Sequence, residues 1–422
     1  MRLYNTLSRQ VEELPPLPGP IRMYFCGPTV YARAHVGNAI PFVVPMWLRA
    51  WLRLRGYHVT FVHNITDVND KIYDAAPGKS AQLAAQATEW YLQDTGDLGL
   101  GMPDLLPRAT ETIPQIVAFI EKLIERDFAY VVDGDVYFRV ARDPEYGRLS
   151  RQKVDQMVEE EPSTVKEARQ DFALWKATKP GEDTSWDSPW GRGRPGWHIE
   201  CSVMAEEAFG PVFEIHGGGL DLVFPHHENE LAQSRALGHE FARIWMHNGM
   251  LRFTGEKMSK SLGNVTTIRE ALDEYGREAL LLFFMTGHWR KPLDFSETTM
   301  AQAAAQVERL RNVFRSPSEP VGDWAAFEAA LDDDFNTPEA LALMHGWRDH
   351  DLLRRALAVF GLESLAESVE APAHIVSLAE QRQTAREAGD FAGADRLRAE
   401  IAAAGWKVRD IDEPPGFRLV PK

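Results

Sequence analysis

Two apolar runs, IRMYFC at 21–26 and YHVTFVH at 57–63, flank a stretch with helical periodicity from about Val43 to Arg55. A helix placed between two strands carries the chain back along the sheet, so the strands run parallel. Helical patterns follow around 79–95 and 111–127, and strand character returns at FEIHGGG (213–219) and ARIWMHNGML (242–251). The expected fold class is therefore α/β, a doubly wound parallel sheet of Rossmann-like type with an α-helical C-terminal region. Residues 145–196 are charged and rich in Pro and Gly, and read as an insertion or a mobile surface segment. From about residue 266 helix follows helix. SPSEP at 316–320 reads as a linker, and the last 50 residues as two helices broken at AGD followed by a tail able to form a hairpin.

Composition narrows the class. The chain has 422 residues, 44% of them apolar, with 12 tryptophans, which suits a large packed core and excludes a disordered chain. Two cysteines exclude a disulfide scaffold. MRLYNTLSRQ has no apolar signal segment, and the most apolar run, EALLLFFMTG, is too short to cross a membrane. A cytoplasmic protein is expected. The net charge of −16 argues against indiscriminate nucleic-acid binding while leaving room for a local basic surface.

Four stretches carry chemistry. Cys26 ends the first strand at a Gly-Pro turn, and Cys201 lies in GWHIECSVMA. In FPHHENE, His226 and Glu230 share a helix face, as do His227 and Glu230. Two thiolates, an imidazole and a carboxylate suit Zn²⁺, but spacing does not choose between the histidines, and two buried thiols beside a solvated helix start would look the same. GEKMSKSLGN (255–264) sets Lys257 and Lys260 between glycines, where ammonium groups can meet a polyphosphate; an exposed basic turn is the plainer reading. HVGN (35–38) stands where a strand hands over to a helix, so His35 and Asn38 add donors to an anion-attracting helix start. HGGGLDL (216–222) lets backbone approach a flat ligand, with Asp221 free for a ribose hydroxyl; a tight turn explains it equally well.

Together HVGN and KMSKS on an α/β sheet resemble the class I aminoacyl-tRNA synthetases. FCGPTVY, NITDVNDKI, GWHIECS, HGGGLDLVFPHHENE and GEKMSKSLGN resemble the cysteinyl-tRNA synthetases, densely over residues 20–315 and more thinly through LDDDFNTPEAL and DFAGADRLRAEIAAAGW. The resemblance implies one Zn²⁺ per chain on Cys26, Cys201, His226 and Glu230, selecting His226 over His227. It implies Gly27, Thr66 and Trp197 as residues lining the amino-acid pocket, beside Asp221 as the further substrate-binding residue read from its glycine-rich turn, and His35, Asn38, Lys257 and Lys260 as the catalytic, phosphate-contacting residues. A pocket that must accept cysteine and reject serine gains little from size, whereas zinc distinguishes thiolate from hydroxyl.

The implied reaction activates L-cysteine with ATP, accompanied by Mg²⁺, and transfers it to the 3′ end of tRNA(Cys). The alternative is a ligase joining activated cysteine to an amino sugar. The expected organisation is a catalytic domain at 1–265 with an insertion at about 110–195. A stem-contact helical segment at 266–318, a shortened helical bundle at 319–373 and an anticodon-binding module at 374–422 follow, in a monomer without membrane contact. In that module Phe391 and Trp406 could stack on bases, or simply pack. The sequence departs from the family pattern at Ile40, Pro41 and Pro45, where prolines predict a late helix start or a kink.

Overall fold

The computed structural model describes residues 1–154, 164–253, 266–367, 371–410 and 414–421. A short antiparallel pair, β1 (Arg2–Asn5) and β2 (Gln10–Glu13), precedes the central sheet. The chain then runs β3 (Pro20–Phe25), α1 (Ile40–Leu54), β4 (His58–His63), α2 (Asp70–Ala75), α3 (Ser80–Gly96) and α4 (Ile113–Glu125). Strands β5 (Ala129–Val132), β6 (Asp135–Phe138), β7 (Phe172–Ala177) and β8 (Gly193–Pro195) form an antiparallel sheet of their own. After α5 (Trp197–Phe209), β9 (Val212–Gly219), α6 (Glu228–Ala236) and β10 (Phe241–Asn248) complete the central sheet.

Its order is β10-β9-β3-β4, all parallel. Strands buried on both faces read as continuous apolar runs, which is why IRMYF and FVH carry so little alternation. The chain leaves β3 toward β4 and returns on the other side as β9. The carboxyl ends of β3 and β9 therefore mark the topological switch point, where sheets of this kind bind ligands.

The segment read as mobile or inserted contains, among its described residues, a packed subdomain. Ile116, Ile120, Phe138, Leu174 and Trp175 form its core. Helices α5 and α6 are shared walls: Ile199 and Ala232 join that core, while Met204 and Leu231 join the core under the central sheet. A helix buried on both sides encloses whatever polar groups it carries, which accounts for the burial of Cys201 and Glu230.

The prolines near HVGN act as expected of a late start. A 3₁₀ turn, Val36–Ala39, runs into α1, with Pro41 in its first turn and Pro45 inside it. Beyond β11 (Leu251–Phe253), which pairs in parallel with β12 (Leu293–Phe295), the chain is helical. It forms α7 (Ile268–Tyr275), α8 (Arg277–Met285), α9 (Glu297–Phe314), α10 (Trp324–Asp332), α11 (Thr337–Gly346) and α12 (His350–Val359).

Contacts divide the chain into Met1–Leu365 and Ala366–Lys422, so SPSEP lies inside the first unit. The second unit holds α13 (Ala373–Glu387), α14 (Phe391–Ala403) and the hairpin of β13 (Trp406–Asp410) with β14 (Phe417–Pro421). Ile375, Ile401, Trp406 and Phe417 form its core, so Trp406 packs rather than offering a face for stacking. Phe391 is 66% exposed.

Candidate metal centre and nucleotide crevice

Cys26 is the first residue beyond β3. Its N–H donates to Gly217 O at 3.0 Å, which fixes the turn against β9. The close packing of the two strands leaves Gly217 no room for a side chain, since a Cβ there would lie 2.3 Å from the Phe25 ring. The Cys26 Sγ lies 3.5 Å from His226 Nε2, 3.6 Å from Glu230 Oε1 and 3.8 Å from His216 Nε2. Glu230 completes the knot: its Oε1 is 3.1 Å from His226 Nε2, and its Oε2 is 3.1 Å from His216 Nε2. Ligand atoms of Cys26, His226, His227 and Glu230 all lie within 4.8 Å of one another.

The local backbone makes this meeting possible. A wide π-type turn, Val223–His227, leads into α6, and Phe224 within it is extended (φ −140°, ψ 134°). Wide turns of this kind recur at functional sites because they redirect side chains. Here the turn keeps His226 and Glu230 facing across one helical step. The Trp197 ring, at the start of α5, stacks on His226 with centroids 4.3 Å apart. Behind it, His226 Nδ1 pairs with His198 Nδ1 at 3.0 Å, an outer contact of the kind that orients a ligating imidazole.

Burial dominates the electrostatics. Glu230 is fully buried, and its ion pairs among the described residues are with histidines alone. Desolvation raises its carboxyl to about 7 and lowers His216 and His226 to about 3. Desolvation, reinforced by the neighbouring Cys201 thiol, pushes Cys26 well up. Three buried atoms, His216 Nδ1, His227 Nε2 and Glu230 Oε2, make no aligned hydrogen bond. A buried knot of soft and borderline donors with unsatisfied atoms fits a divalent cation, which would favour the ionised thiol and carboxylate together. Cys201 is buried beside Cys26 and Tyr24 rather than within the 4.8 Å group, and His227 stands in that group instead.

Of the remaining sequence-selected residues, those described lie just beyond the ends of β3, β4 and β9 or at the starts of α1 and α5. Gly27 meets the chain beyond β4 so closely that a Cβ would lie 1.7 Å from Asn64 O. Thr66 is buried and exchanges backbone bonds with Pro28 and Val30. Trp197 also lines a cavity of about 320 Å³ between the inserted sheet and α6, with Thr29, Phe172, His198 and Phe224. Asp221 is exposed in a 3₁₀ turn after β9, its Oδ1 lying over Gly219. Asn38 Oδ1 accepts the His35 N–H at 3.2 Å, which leaves the amide nitrogen as its donor. Lys257 and Lys260 lie outside the described residues.

Sequence reasoning passed over His216, His198 and Asn64. His216 opens the HGGG stretch, and its pairing opposite Tyr24 of β3 was not readable from that stretch alone. His198 sits inside GWHIECS, three residues before Cys201, and that spacing on a helix was a usable signal.

The four-stranded parallel sheet, with a buried Cys/His/Glu group at its switch point, belongs to a class I aminoacyl-tRNA synthetase catalytic domain. Residues 14–305 match the family described as tRNA synthetases class I (C) catalytic domain, and 326–356 match the DALR domain. The chain belongs to the cysteine–tRNA ligase family. It is 45% identical to the cysteine–tRNA ligase of Alkalilimnicola ehrlichii, covering 97% of this chain and 98% of the relative. Against that of Caldicellulosiruptor saccharolyticus the identity is 41%, covering 99% of both chains. Among solved structures, Mycobacterium tuberculosis methionyl-tRNA synthetase with methionyl-adenylate shares the fold at TM-score 0.58 and 14% identity, covering 82% of this chain and 88% of that one. A putative arginyl-tRNA synthetase from Campylobacter jejuni gives 0.54 and 13%, covering 85% and 88%. No helix among the described residues is long and apolar enough to cross a membrane.

Proposed function

We propose that this protein is a cysteine–tRNA ligase acting as a cytoplasmic monomer. The observation that carries the reading is the buried thiol–imidazole–carboxylate knot at the switch point. The substrate carboxylate attacks the ATP α-phosphate, pyrophosphate leaves, and the tRNA 3′-terminal hydroxyl then displaces AMP. Zn²⁺ held by Cys26, Cys201, His226 and Glu230 would supply a soft site for the substrate thiolate and thereby select cysteine over serine. Gly27 and Thr66 shape the amino-acid pocket, and Trp197 closes it over His226. Asn38 directs its free amide hydrogens toward phosphate while its oxygen stays on His35. Lys257 and Lys260 are assigned by the KMSKS motif to the triphosphate, which carries Mg²⁺. Little covalent chemistry falls to the protein; its task is to position groups and stabilise developing charge.

The test is cysteine-dependent ATP–pyrophosphate exchange followed by charging of tRNA(Cys), with serine and an amino sugar as the competing substrate and acceptor. Cysteine-dependent exchange with charging of tRNA is expected. Exchange without charging, together with ligation to the amino sugar, would overturn the reading.

A further inference from the structure

The turn that carries Cys26 is held from two sides. One hold is backbone: Cys26 N–H to Gly217 O of β9 at 3.0 Å. The other is a side chain: the next amide, Gly27 N–H, donates to Asn64 Oδ1 at 2.9 Å. Asn64 is wholly buried, just beyond β4. Its Nδ2 donates to Thr66 Oγ1 at 3.4 Å, and Thr66 N–H returns to Pro28 O at 3.1 Å. One amide therefore spans the strand that brings the thiol and the strand that brings the threonine. The two partners also fix the orientation of the amide, since Gly27 N–H requires an oxygen and the threonine hydroxyl accepts from the nitrogen. Nothing in the proposed reaction asks Asn64 to touch substrate. A buried amide committed to both walls of a pocket is suited to hold those walls at a set separation.

We propose that Asn64 is a positioning residue for the amino-acid site, holding the Cys26–Gly27 peptide and the Thr66 hydroxyl in one arrangement. The inference rests on the reading of that site as the cysteine pocket. Through Gly27 it sets the direction of the Cys26 thiol toward His226 and Glu230. Through Thr66 it sets the opposite wall. The HVGN turn is built separately, on its own His35–Asn38 bond, so Asn64 governs cysteine and metal rather than ATP. A misplacement of about 1 Å at the reacting groups, even when it comes from a substitution away from them, can cost on the order of 100-fold.

The experiment uses the full-length, metal-loaded enzyme and compares Asn64→Ala with Asn64→Asp. Asp keeps an oxygen for Gly27 N–H and lacks the donor to Thr66. Three quantities are read: KM for cysteine and for ATP in pyrophosphate exchange, the rate of metal release to a chromophoric chelator, and the melting temperature. Asn64→Ala is expected to raise the cysteine KM about tenfold, leave the ATP KM within twofold and speed metal release. Asn64→Asp is expected to raise the cysteine KM while metal release stays close to wild type. A purely structural role would lower the melting temperature and move both KM values together, or neither, and that result in either variant overturns the proposal. If Asn64→Ala does not fold, the KM split in Asn64→Asp decides alone. Wild-type enzyme without cysteine-dependent exchange would instead overturn the assignment of the pocket, whatever the variants do.

Discussion

His226 and Glu230 stand one helical step apart with Nε2 3.1 Å from Oε1, both fully buried, and Cys26 reaches the same pair from 200 positions earlier in the chain. A carboxylate so placed has no arginine or lysine partner among the described residues. Its ionised form would be stabilised by a positive charge that the described side chains around it do not provide. The arrangement accounts for several measurable properties.

Metal content separates the two neighbouring histidines. His226 points Nε2 at both Cys26 and Glu230, whereas His227 Nε2 is 3.9 Å from Glu230 and its Nδ1 pairs with His247 Nε2 at 2.7 Å. His226→Ala is expected to purify with well under one metal per chain and to lose cysteine-dependent exchange. His227→Ala should keep most of its metal by elemental analysis. Equal loss in both variants would place His227 among the ligands.

Gly27→Ala tests the close approach of the two strand ends. A Cβ at 1.7 Å from Asn64 O cannot be relieved by a side-chain rotation, because the obstacle is backbone. Overpacking of this kind costs roughly 1–3 kcal/mol or more. A lower urea midpoint and a raised cysteine KM are expected together; an unchanged midpoint would show that the turn yields freely.

Acid sensitivity should trace in part to His63. Its Nδ1–H donates to Phe25 O at 3.0 Å, and its Nε2 accepts from the Tyr91 hydroxyl at 2.7 Å, an arrangement that needs neutral imidazole. Burial lowers it from 6.5 to about 4 in the folded protein. Between those values the unfolded chain binds the extra proton, so the stabilisation is complete above about pH 6.5 and is lost as pH falls toward 4. The full span is worth roughly 3 kcal/mol. Unfolding free energies of wild type and His63→Gln measured from pH 7.5 to 4.5 should converge as the pH falls. A constant difference would remove His63 from the account.

Removal of the second compact unit separates the two half-reactions. Residues 366–422 enclose their own core of Ile375, Ile401, Trp406 and Phe417, while the Cys26–His226–Glu230 knot and the HVGN turn belong wholly to Met1–Leu365. Truncation near residue 367 is expected to preserve cysteine-dependent pyrophosphate exchange and to reduce tRNA charging sharply, with a shallower salt dependence of tRNA binding. Full-rate charging by the truncated chain would show that this unit does not read tRNA.

Lys260→Ala is expected to slow adenylate formation by a factor matching about 3–4 kcal/mol while leaving cysteine binding nearly unchanged, if the ammonium meets charge that develops in the transition state. Equal effects on ATP binding and on rate would make it a ground-state anchor.

Much of this protein is written locally. Apolar runs marked β3, β4, β9 and β10, and the prolines marked the late start of α1 after its 3₁₀ turn. The four-residue step alone puts His226 and Glu230 on one face. Such features depend on neighbours within a few positions, where backbone geometry and side-chain period act directly.

The composition of the thiol–imidazole–carboxylate knot was decided at longer range. The step from His227 to Glu230 was as good on paper as that from His226, and only the wide turn at Val223–His227 and the approach of Cys26 distinguish them. Cys26 meets His216 because β3 and β9 are neighbours, and that adjacency comes from a crossover that passes through α1, β4 and the whole inserted sheet. The insertion itself looked mobile because its charge and Pro/Gly content masked the buried strand β7, whose partners β6 and β8 lie far along the chain. Asn64 was part of a motif with no role attached, since its meaning lies in a bond to Gly27, in the turn beyond another strand. Sequence therefore determined the elements, the donor types and the family. Tertiary structure decided which donors converge, because convergence depends on strand order and on the burial that removes water from their midst.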